Sequence, residues 1–155
     1  MHEFFMKRAI ELSIEKMKSN EGGPFGAIIV KDDKIIGEGW NRVTSQKDPT
    51  AHAEVTAIRN ACLNIDHFKL EGAVLYTSCE PCPMCLASAY WARISKIYYA
   101  SDREIAAKYK FDDSYIYEEI KMKIEDRKIP MIQILKKESE ISFQEWENKN
   151  DKIRY

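Results

Sequence analysis

Apolar residues recur with two different periods in the first forty positions of the chain. Over residues 2–19 they lie three and four apart, which predicts an amphipathic helix with a broad apolar face. A Gly-Gly-Pro sequence at residues 22–24 ends this pattern. Residues 27–30 and 34–38 are short strand-like runs, and the polar turn between them predicts a β-hairpin.

The rest of the chain continues to alternate helix-like and strand-like segments after a polar loop at residues 40–50. The pattern predicts helices over 52–63, 84–92 and 142–150, strands over 73–77, 96–100 and 129–135, and a helix, a loop and a short helix within 101–120. Strands that alternate with helices predict an α/β fold, with a sheet covered by helices on both faces. We find no internal repeat or linker, so we expect one domain over residues 1–155.

Composition and charge narrow the class of protein. The chain has 155 residues, of which 45% are hydrophobic, enough for one domain with a hydrophobic core. Lys and Arg number 24 against 25 Asp and Glu, so the basic surface typical of nucleic-acid binders is not evident. No signal-peptide pattern and no apolar run of about 20 residues is present, so we expect a soluble, cytoplasmic protein without a membrane partner. In such a chain, cysteines more often bind metal or do chemistry than form disulfides.

Two short motifs supply the ligands of a metal site. His52 precedes a predicted helix, and Cys82 and Cys85 lie three apart at the start of another, where the helix dipole favours thiolates. The chain has two other histidines, but His2 is terminal and His67 follows an aspartate in a polar stretch. One nitrogen and two sulfur ligands leave the fourth position of tetrahedral zinc for water, as in catalytic sites. We therefore predict one catalytic Zn²⁺ ion held by His52, Cys82 and Cys85.

A third cysteine leaves a different metal site open. Cys79 precedes Cys82 with the same spacing that separates Cys82 from Cys85. Three cysteines and His52 would close the tetrahedron and make the zinc structural. Because Cys79 ends a predicted strand before the chain turns, its side chain need not point toward the other two.

Glu54 lies two residues after the predicted histidine ligand. Zinc lowers the pKa of its bound water to about 7, which makes hydroxide available for attack on a ring carbon that carries an amino group. A carboxylate beside that water can carry protons to the ring nitrogen and to the leaving amine. The alternative is a solvated glutamate stabilised by the helix dipole. The His-x-Glu and Pro-Cys-x-x-Cys combination is typical of zinc-dependent nucleobase deaminases.

Four segments extend the similarity beyond the zinc motif. Thr50–Arg59, Tyr76–Leu86, Gly22–Gly26 and Phe111–Tyr117 resemble bacterial guanine deaminases of the cytidine-deaminase fold. The zinc motif marks only the superfamily of cytidine and deoxycytidylate deaminases. The Phe-Asp-Asp-Ser sequence and the tail that ends in Tyr155 carry the resemblance to the guanine enzymes.

This resemblance implies a three-layer α/β/α sandwich with a central mixed sheet, and conversion of guanine to xanthine and ammonia by attack of zinc hydroxide at C2. Glu54 is then the proton shuttle, Asn41 hydrogen-bonds the purine, and Asp113 contacts the guanine edge and assists proton transfer. The other matched substrate contacts are Phe25 and Trp91 as aromatic walls and Tyr155 as the residue that closes the pocket. The resemblance also implies a homodimer that exchanges C-terminal segments, a small-molecule purine substrate and no nucleic-acid partner.

Each residue matched to a substrate contact also has a structural alternative. Asn41 can be a turn residue, either aspartate of the pair Asp112 and Asp113 can cap a helix, the two aromatic walls can be ordinary core residues, and Tyr155 can be a disordered end. The choice of Asp113 over Asp112 rests on the resemblance.

Three other functions compete with guanine deamination. A tRNA adenosine deaminase shares the zinc motif but must hold RNA, and the even charge and the acidic stretch at residues 111–120 argue against it. A cytosine deaminase or other nucleobase deaminase is a weaker alternative, because a pyrimidine does not explain the assignment of Asp113 to a purine edge. The non-enzymatic alternative is an interaction module stabilised by a closed zinc site.

Overall fold

The structure is a computed structural model that describes residues 1–155 and divides into two compact units, residues 1–114 and 115–155. Its helices are α1 His2–Lys18, α2 Val43–Gln46, α3 Ala53–Asn64, α4 Pro83–Trp91, α5 Arg103–Lys108, α6 Ser114–Lys121 and α7 Lys136–Asn148, with a 3₁₀ helix at Ile124–Asp126. Its strands are β1 Gly26–Lys31, β2 Lys34–Trp40, β3 Val74–Cys79 and β4 Lys96–Ser101. No helix is both long enough and apolar enough to cross a membrane.

The four strands of the first unit form one mixed sheet in the order β2-β1-β3-β4. Strand β1 is antiparallel to both of its neighbours, whereas β3 and β4 are parallel. Asp32 and Asp33 both have positive φ, which is typical of the tight turn that matches the twist of a β-hairpin. Strand β4 has only β3 as a neighbour, so its other edge is unpaired within the sheet.

Helices pack on both faces of this sheet because side chains alternate along each strand. On one face, Ile28 and Tyr76 pack with residues of α1, which are Phe5, Ala9 and Leu12. On the other face, Ile29 and Leu75 pack with small residues of α3 and α4, which are Ala53, Ala57, Ala61 and Ala89. The predicted three-layer α/β/α fold is therefore confirmed.

Close packing of α3 on β2 sets the position of the functional helix. A Cβ atom added at Gly39 would lie 2.2 Å from the nitrogen of Ala57 and 2.3 Å from the oxygen of Ala53. Only glycine allows the two backbones to approach this closely. The start of α3, which carries His52 and Glu54, is thereby held against the end of β2.

The sequence-based prediction was wrong in the C-terminal third. Residues 129–135 form no strand, and Leu135 has a φ of 52°, a left-handed conformation that ends an extended run and precedes α7. Helix α7 begins at Lys136, earlier than the predicted start at Ser142, because its first turns consist of polar helix formers with no apolar period. The four-residue helix α2 lies in the predicted loop and is too short to produce a period.

The second unit, residues 115–155, has no buried residue of its own. Helix α7 contacts the chain terminus through an ion pair. Arg154 donates hydrogen bonds to both carboxylate oxygens of Glu147, at 3.0 and 2.8 Å. Large apolar side chains are exposed throughout the unit, among them Ile129, Ile132, Ile134, Phe143 and Ile153. Exposed apolar surface of this extent is typical of a segment that another surface covers.

Candidate metal centre

Three side chains converge where two helices begin. His52 is the N-cap residue of α3, Cys82 is the N-cap residue of α4, and Cys85 lies in the first turn of α4. The His52 Nδ1 atom lies 3.6 Å from the Cys82 sulfur and 3.5 Å from the Cys85 sulfur. All three ligand atoms lie within 4.8 Å of one another, a spacing that suits a shared metal ion.

Local sequence explains why the two sulfurs meet. Pro83 occupies the first turn of α4, where a missing N–H costs no hydrogen bond, and it fixes the start of the helix. The spacing of three residues then places Cys82 and Cys85 on the same side of the first turn. The unpaired N–H groups and the dipole of the helix terminus stabilise negative charge there.

The two cysteines and His52 shift one another's pKa values. The pKa of Cys82 is lowered to about 4, first by the hydrogen bond that it accepts from the Cys85 thiol and further by His52. The same contact with Cys82, together with burial, raises the pKa of Cys85. The pKa of His52 is raised, first by its hydrogen bond with Cys82. A thiolate, a second thiol and an imidazole nitrogen form a donor set that fits zinc.

Cys79 is not part of this cluster. Its thiol contacts the carbonyl oxygen of Asp102 at 3.9 Å, and burial raises its pKa to about 11. Its sulfur is not among the ligand atoms that lie within 4.8 Å of one another. The structure therefore brings together one nitrogen and two sulfurs, which leaves one position of a tetrahedron open.

Glu54 is buried next to the same cluster. Only 6% of its surface is exposed, and its Oε2 atom accepts a hydrogen bond from the Cys85 thiol at 3.3 Å. Burial raises the pKa of this carboxyl group, which favours its protonated form compared with a glutamate in water. A buried carboxyl group with a raised pKa is suited to take up a proton and pass it on.

The two adjacent aspartates have different positions. Asp112 is exposed, and its Oδ1 atom accepts a hydrogen bond from the Ser114 backbone N–H at 2.9 Å, at the start of α6. That bond lowers the pKa of Asp112. Asp113 is partly buried, and its pKa is raised first by burial and then by the negative charge of Cys82. Asp113 is therefore the aspartate whose charge acts on Cys82 and His52.

Asn41 follows β2 and is buried in the same unit. Its Oδ1 atom accepts hydrogen bonds from the backbone N–H groups of Gly23 and Val43, at 3.1 and 3.2 Å. On sequence grounds, Gly22 and Gly23 were placed at the end of α1 and in a segment that carries the family resemblance, and were not connected with Asn41. Backbone N–H groups that hold a side chain have no residue-specific signal, so this support could be found only from the structure.

Phe25 contacts Phe111 edge to face, with ring centres 4.9 Å apart. Both rings line a cavity of about 260 Å³ whose lining also includes Ser78 and Cys79. The three metal ligands do not line this cavity, so we do not equate it with the site of chemistry.

Two further predicted contact residues, Trp91 and Tyr155, lie at the end of α4 and in the second unit. Trp91 ends α4, six residues after Cys85 and so about 9 Å further along the helix by the rise per residue, and 64% of its surface is exposed. Tyr155 belongs to the second unit, where it lines a surface groove with Phe143 and Trp146. His2 contacts the Tyr76 hydroxyl at 2.7 Å, which gives this terminal histidine a structural role.

Comparison with known proteins places this arrangement in a class. Residues 1–101 match the family model described as the cytidine and deoxycytidylate deaminase zinc-binding region. The chain belongs to this family of zinc-binding deaminases.

Within the family, the guanine deaminase of Bacillus subtilis (strain 168) is 52% identical over 154 residues, which covers 99% of both chains. The X-ray structure of guanine deaminase from Bacillus subtilis matches with a TM-score of 0.97 and covers 100% of this chain and 99% of that one. The tRNA-specific adenosine deaminase of Haemophilus influenzae is 41% identical over 118 residues, which covers 73% of this chain and 68% of that protein.

Proposed function

We propose that this protein hydrolyses guanine to xanthine and ammonia. The observation that carries the proposal is the buried Glu54 carboxyl group against an open His-Cys-Cys metal site. This pairing supports a hydrolytic deaminase, because a structural zinc site needs no adjacent buried carboxyl group. The choice of guanine is supported by a guanine deaminase that is 52% identical over 99% of the chain.

The residues of the cluster divide the chemistry between them. His52, Cys82 and Cys85 would hold the zinc ion, which supplies Lewis-acid activation of water at neutral pH. Glu54 delivers one proton to the ring nitrogen beside C2 and another to the amino group that leaves as ammonia. Its burial excludes bulk water, so the proton that it takes up is passed to the substrate.

Three residues of the first unit position the ring. The Asn41 side chain hydrogen-bonds the purine, Phe25 forms one aromatic wall, and Asp113 contacts the edge that carries the amino group and assists proton transfer there. The raised pKa of Asp113 supports this last role, because it favours the protonated carboxyl group, which can donate its proton to a leaving amine. Trp91 and Tyr155 complete the pocket in this proposal, and their assignment rests on the resemblance to guanine deaminases.

The same proposal includes a cytoplasmic homodimer in which the C-terminal segments are exchanged. Residues 115–155 bury no side chain within the chain, although isoleucine and aromatic residues are frequent in them. Strand β4 offers an unpaired edge, and the apolar run at residues 129–135 has the composition of a strand but forms none within one chain. A second copy that supplies this run to the β4 edge would satisfy both features.

The test is ammonia release by the purified zinc-loaded protein from guanine, adenine, cytosine and an adenosine-containing tRNA, each with and without a chelator. We expect release from guanine alone, and loss of that release when the metal is removed. Release from tRNA alone would replace the proposal with tRNA adenosine deamination. No release from any substrate would favour a zinc-stabilised interaction module.

A further inference from the structure

We propose that Gly22 is a positioning residue that holds Asn41 in one orientation, with its amide nitrogen offered to the substrate as a donor. The inference rests on the proposed function, in which Asn41 contacts the purine. It goes further in two ways: the Asn41 amide is the donor in that contact, and Gly22, which does not touch the substrate, holds Asn41 in place.

The orientation of the Asn41 amide follows from its two backbone partners. The Gly23 and Val43 N–H groups both donate to Oδ1, and Asn41 is only 8% exposed. A rotated amide would direct its own N–H groups at these two donors and leave buried groups without partners. The oxygen is therefore occupied, and the two N–H groups of the amide are what Asn41 can offer a ligand.

Gly22 supports this arrangement by its lack of a side chain. A Cβ atom added at Gly22 would lie 2.1 Å from the backbone oxygen of Asn41 and 2.6 Å from its Oδ1 atom. No side chain tolerates such distances, so Asn41 would have to move.

The backbone around Asn41 is braced on both sides. The Asn41 N–H donates to the carbonyl oxygen of Phe25 at 3.0 Å, and the Arg42 N–H donates to that of Ala51 at 2.9 Å. Ala51 immediately precedes the metal ligand His52. A displacement of Asn41 therefore breaks one of these bonds or tilts the Asn41 side chain away from the two N–H donors. The same bonds set the distance between Asn41 and the metal ligands.

This fixed polarity has a consequence for ligand choice. A ring that presents an acceptor to Asn41 gains a hydrogen bond, whereas a ring that presents a donor leaves N–H groups facing each other in a site with little water. A site built around a specific polar contact rejects the mismatched ligand much more strongly than an apolar site does. We therefore assign to Asn41 selection of an acceptor atom on the purine.

The first test is the steady-state kinetics of Gly22→Ala with guanine. We expect KM to rise by about tenfold or more, the loss equivalent to one hydrogen bond, with one zinc per chain retained. Gly23→Ala should have a smaller effect, since its added Cβ would lie 3.4 Å from the Phe25 ring and 3.7 Å from Asn41 Cγ. Gly37→Ala places a similar clash, 2.6 Å from the oxygen of Ala57 in α3, that does not involve Asn41. It should lower Tm and raise KM less than Gly22→Ala does.

A second variant tests the polarity without a steric change. Asn41→Asp keeps an oxygen for the Gly23 and Val43 N–H groups but removes the amide donor. We expect Tm and zinc content to stay near the wild-type values while KM for guanine rises by about tenfold or more. A wild-type KM in Asn41→Asp, or in Gly22→Ala, overturns the inference.

An NMR measurement separates this inference from the proposed function. In Gly22→Ala, the amide proton resonances of Gly23 and Val43 should shift upfield because the two N–H groups lose the Asn41 oxygen. Unchanged resonances would show that Gly22 does not position Asn41. A wild-type protein that releases no ammonia from guanine would overturn the proposed function, and the resonances would still decide the role of Gly22.

Discussion

Replacing Glu54 with glutamine separates proton transfer from metal binding. The Glu54 side chain is 6% exposed and accepts a hydrogen bond from the Cys85 thiol. The amide of glutamine has nearly the same size and fits the same space. The three metal ligands remain intact in Glu54→Gln, and we expect one zinc per chain as in the wild type. Because size and packing are preserved, Tm should change by no more than a few degrees.

The expected loss of turnover follows from the role of the carboxyl group. General acid–base catalysis by one positioned group contributes about 10²- to 10⁴-fold, or roughly 3–5 kcal/mol of the activation barrier. Glutamine cannot exchange a proton at neutral pH, so kcat of Glu54→Gln should fall by at least about 10²-fold. The assay follows the absorbance change from guanine to xanthine, with zinc measured by elemental analysis on the same sample.

The matched control is Glu71→Gln, which makes the same chemical change at an exposed position. It should leave kcat, zinc content and Tm unchanged. Turnover of Glu54→Gln within tenfold of the wild type would refute proton transfer by Glu54. Loss of zinc in parallel with turnover would show instead that the carboxyl group supports the metal site.

Three further predictions concern the second acid, the core and the assembly. Asp113→Asn should lower kcat/KM about 10- to 100-fold, as for a lost charged hydrogen bond, whereas Asp112→Asn should stay near the wild type because asparagine also accepts from Ser114. Leu12 is 1% exposed, so Leu12→Ala should lower the free energy of unfolding, measured by urea titration, by about 2–5 kcal/mol. Ile14 is 44% exposed, so Ile14→Ala should lower it by less than about 1 kcal/mol. Ile132→Lys should convert the proposed dimer to a monomer in sedimentation. A dimer that persists in this variant would contradict the proposed exchange of C-terminal segments.

Most of the first unit could be predicted because its signals are local. The helical period of α1 and the short apolar runs of β1 and β3 match the residues that are buried in the structure. The metal ligands were also accessible from sequence, since Cys82 and Cys85 lie three apart at a helix start and His52 is the histidine that opens a helix beside a carboxylate.

The conformation of residues 129–135 and the support of Asn41 could not be predicted, for two physical reasons. A strand is defined by its hydrogen-bonded neighbour, and the apolar run at residues 129–135 has none within the chain. The Gly23 and Val43 N–H groups that hold Asn41 belong to the backbone, which every residue shares. Only the close approach of Gly22 to Asn41 requires a specific residue, and a single sequence gives no sign of which segment a glycine approaches.

We predict that the zinc site is open, with His52, Cys82 and Cys85 as its protein ligands. X-ray absorption at the zinc edge of the wild-type protein tests it most directly by counting sulfur neighbours. We predict two sulfurs near 2.3 Å together with two nitrogen or oxygen neighbours at about 2.0–2.1 Å, one of them from His52. Three sulfur neighbours would place Cys79 in the coordination sphere and close the site, which would contradict a catalytic metal.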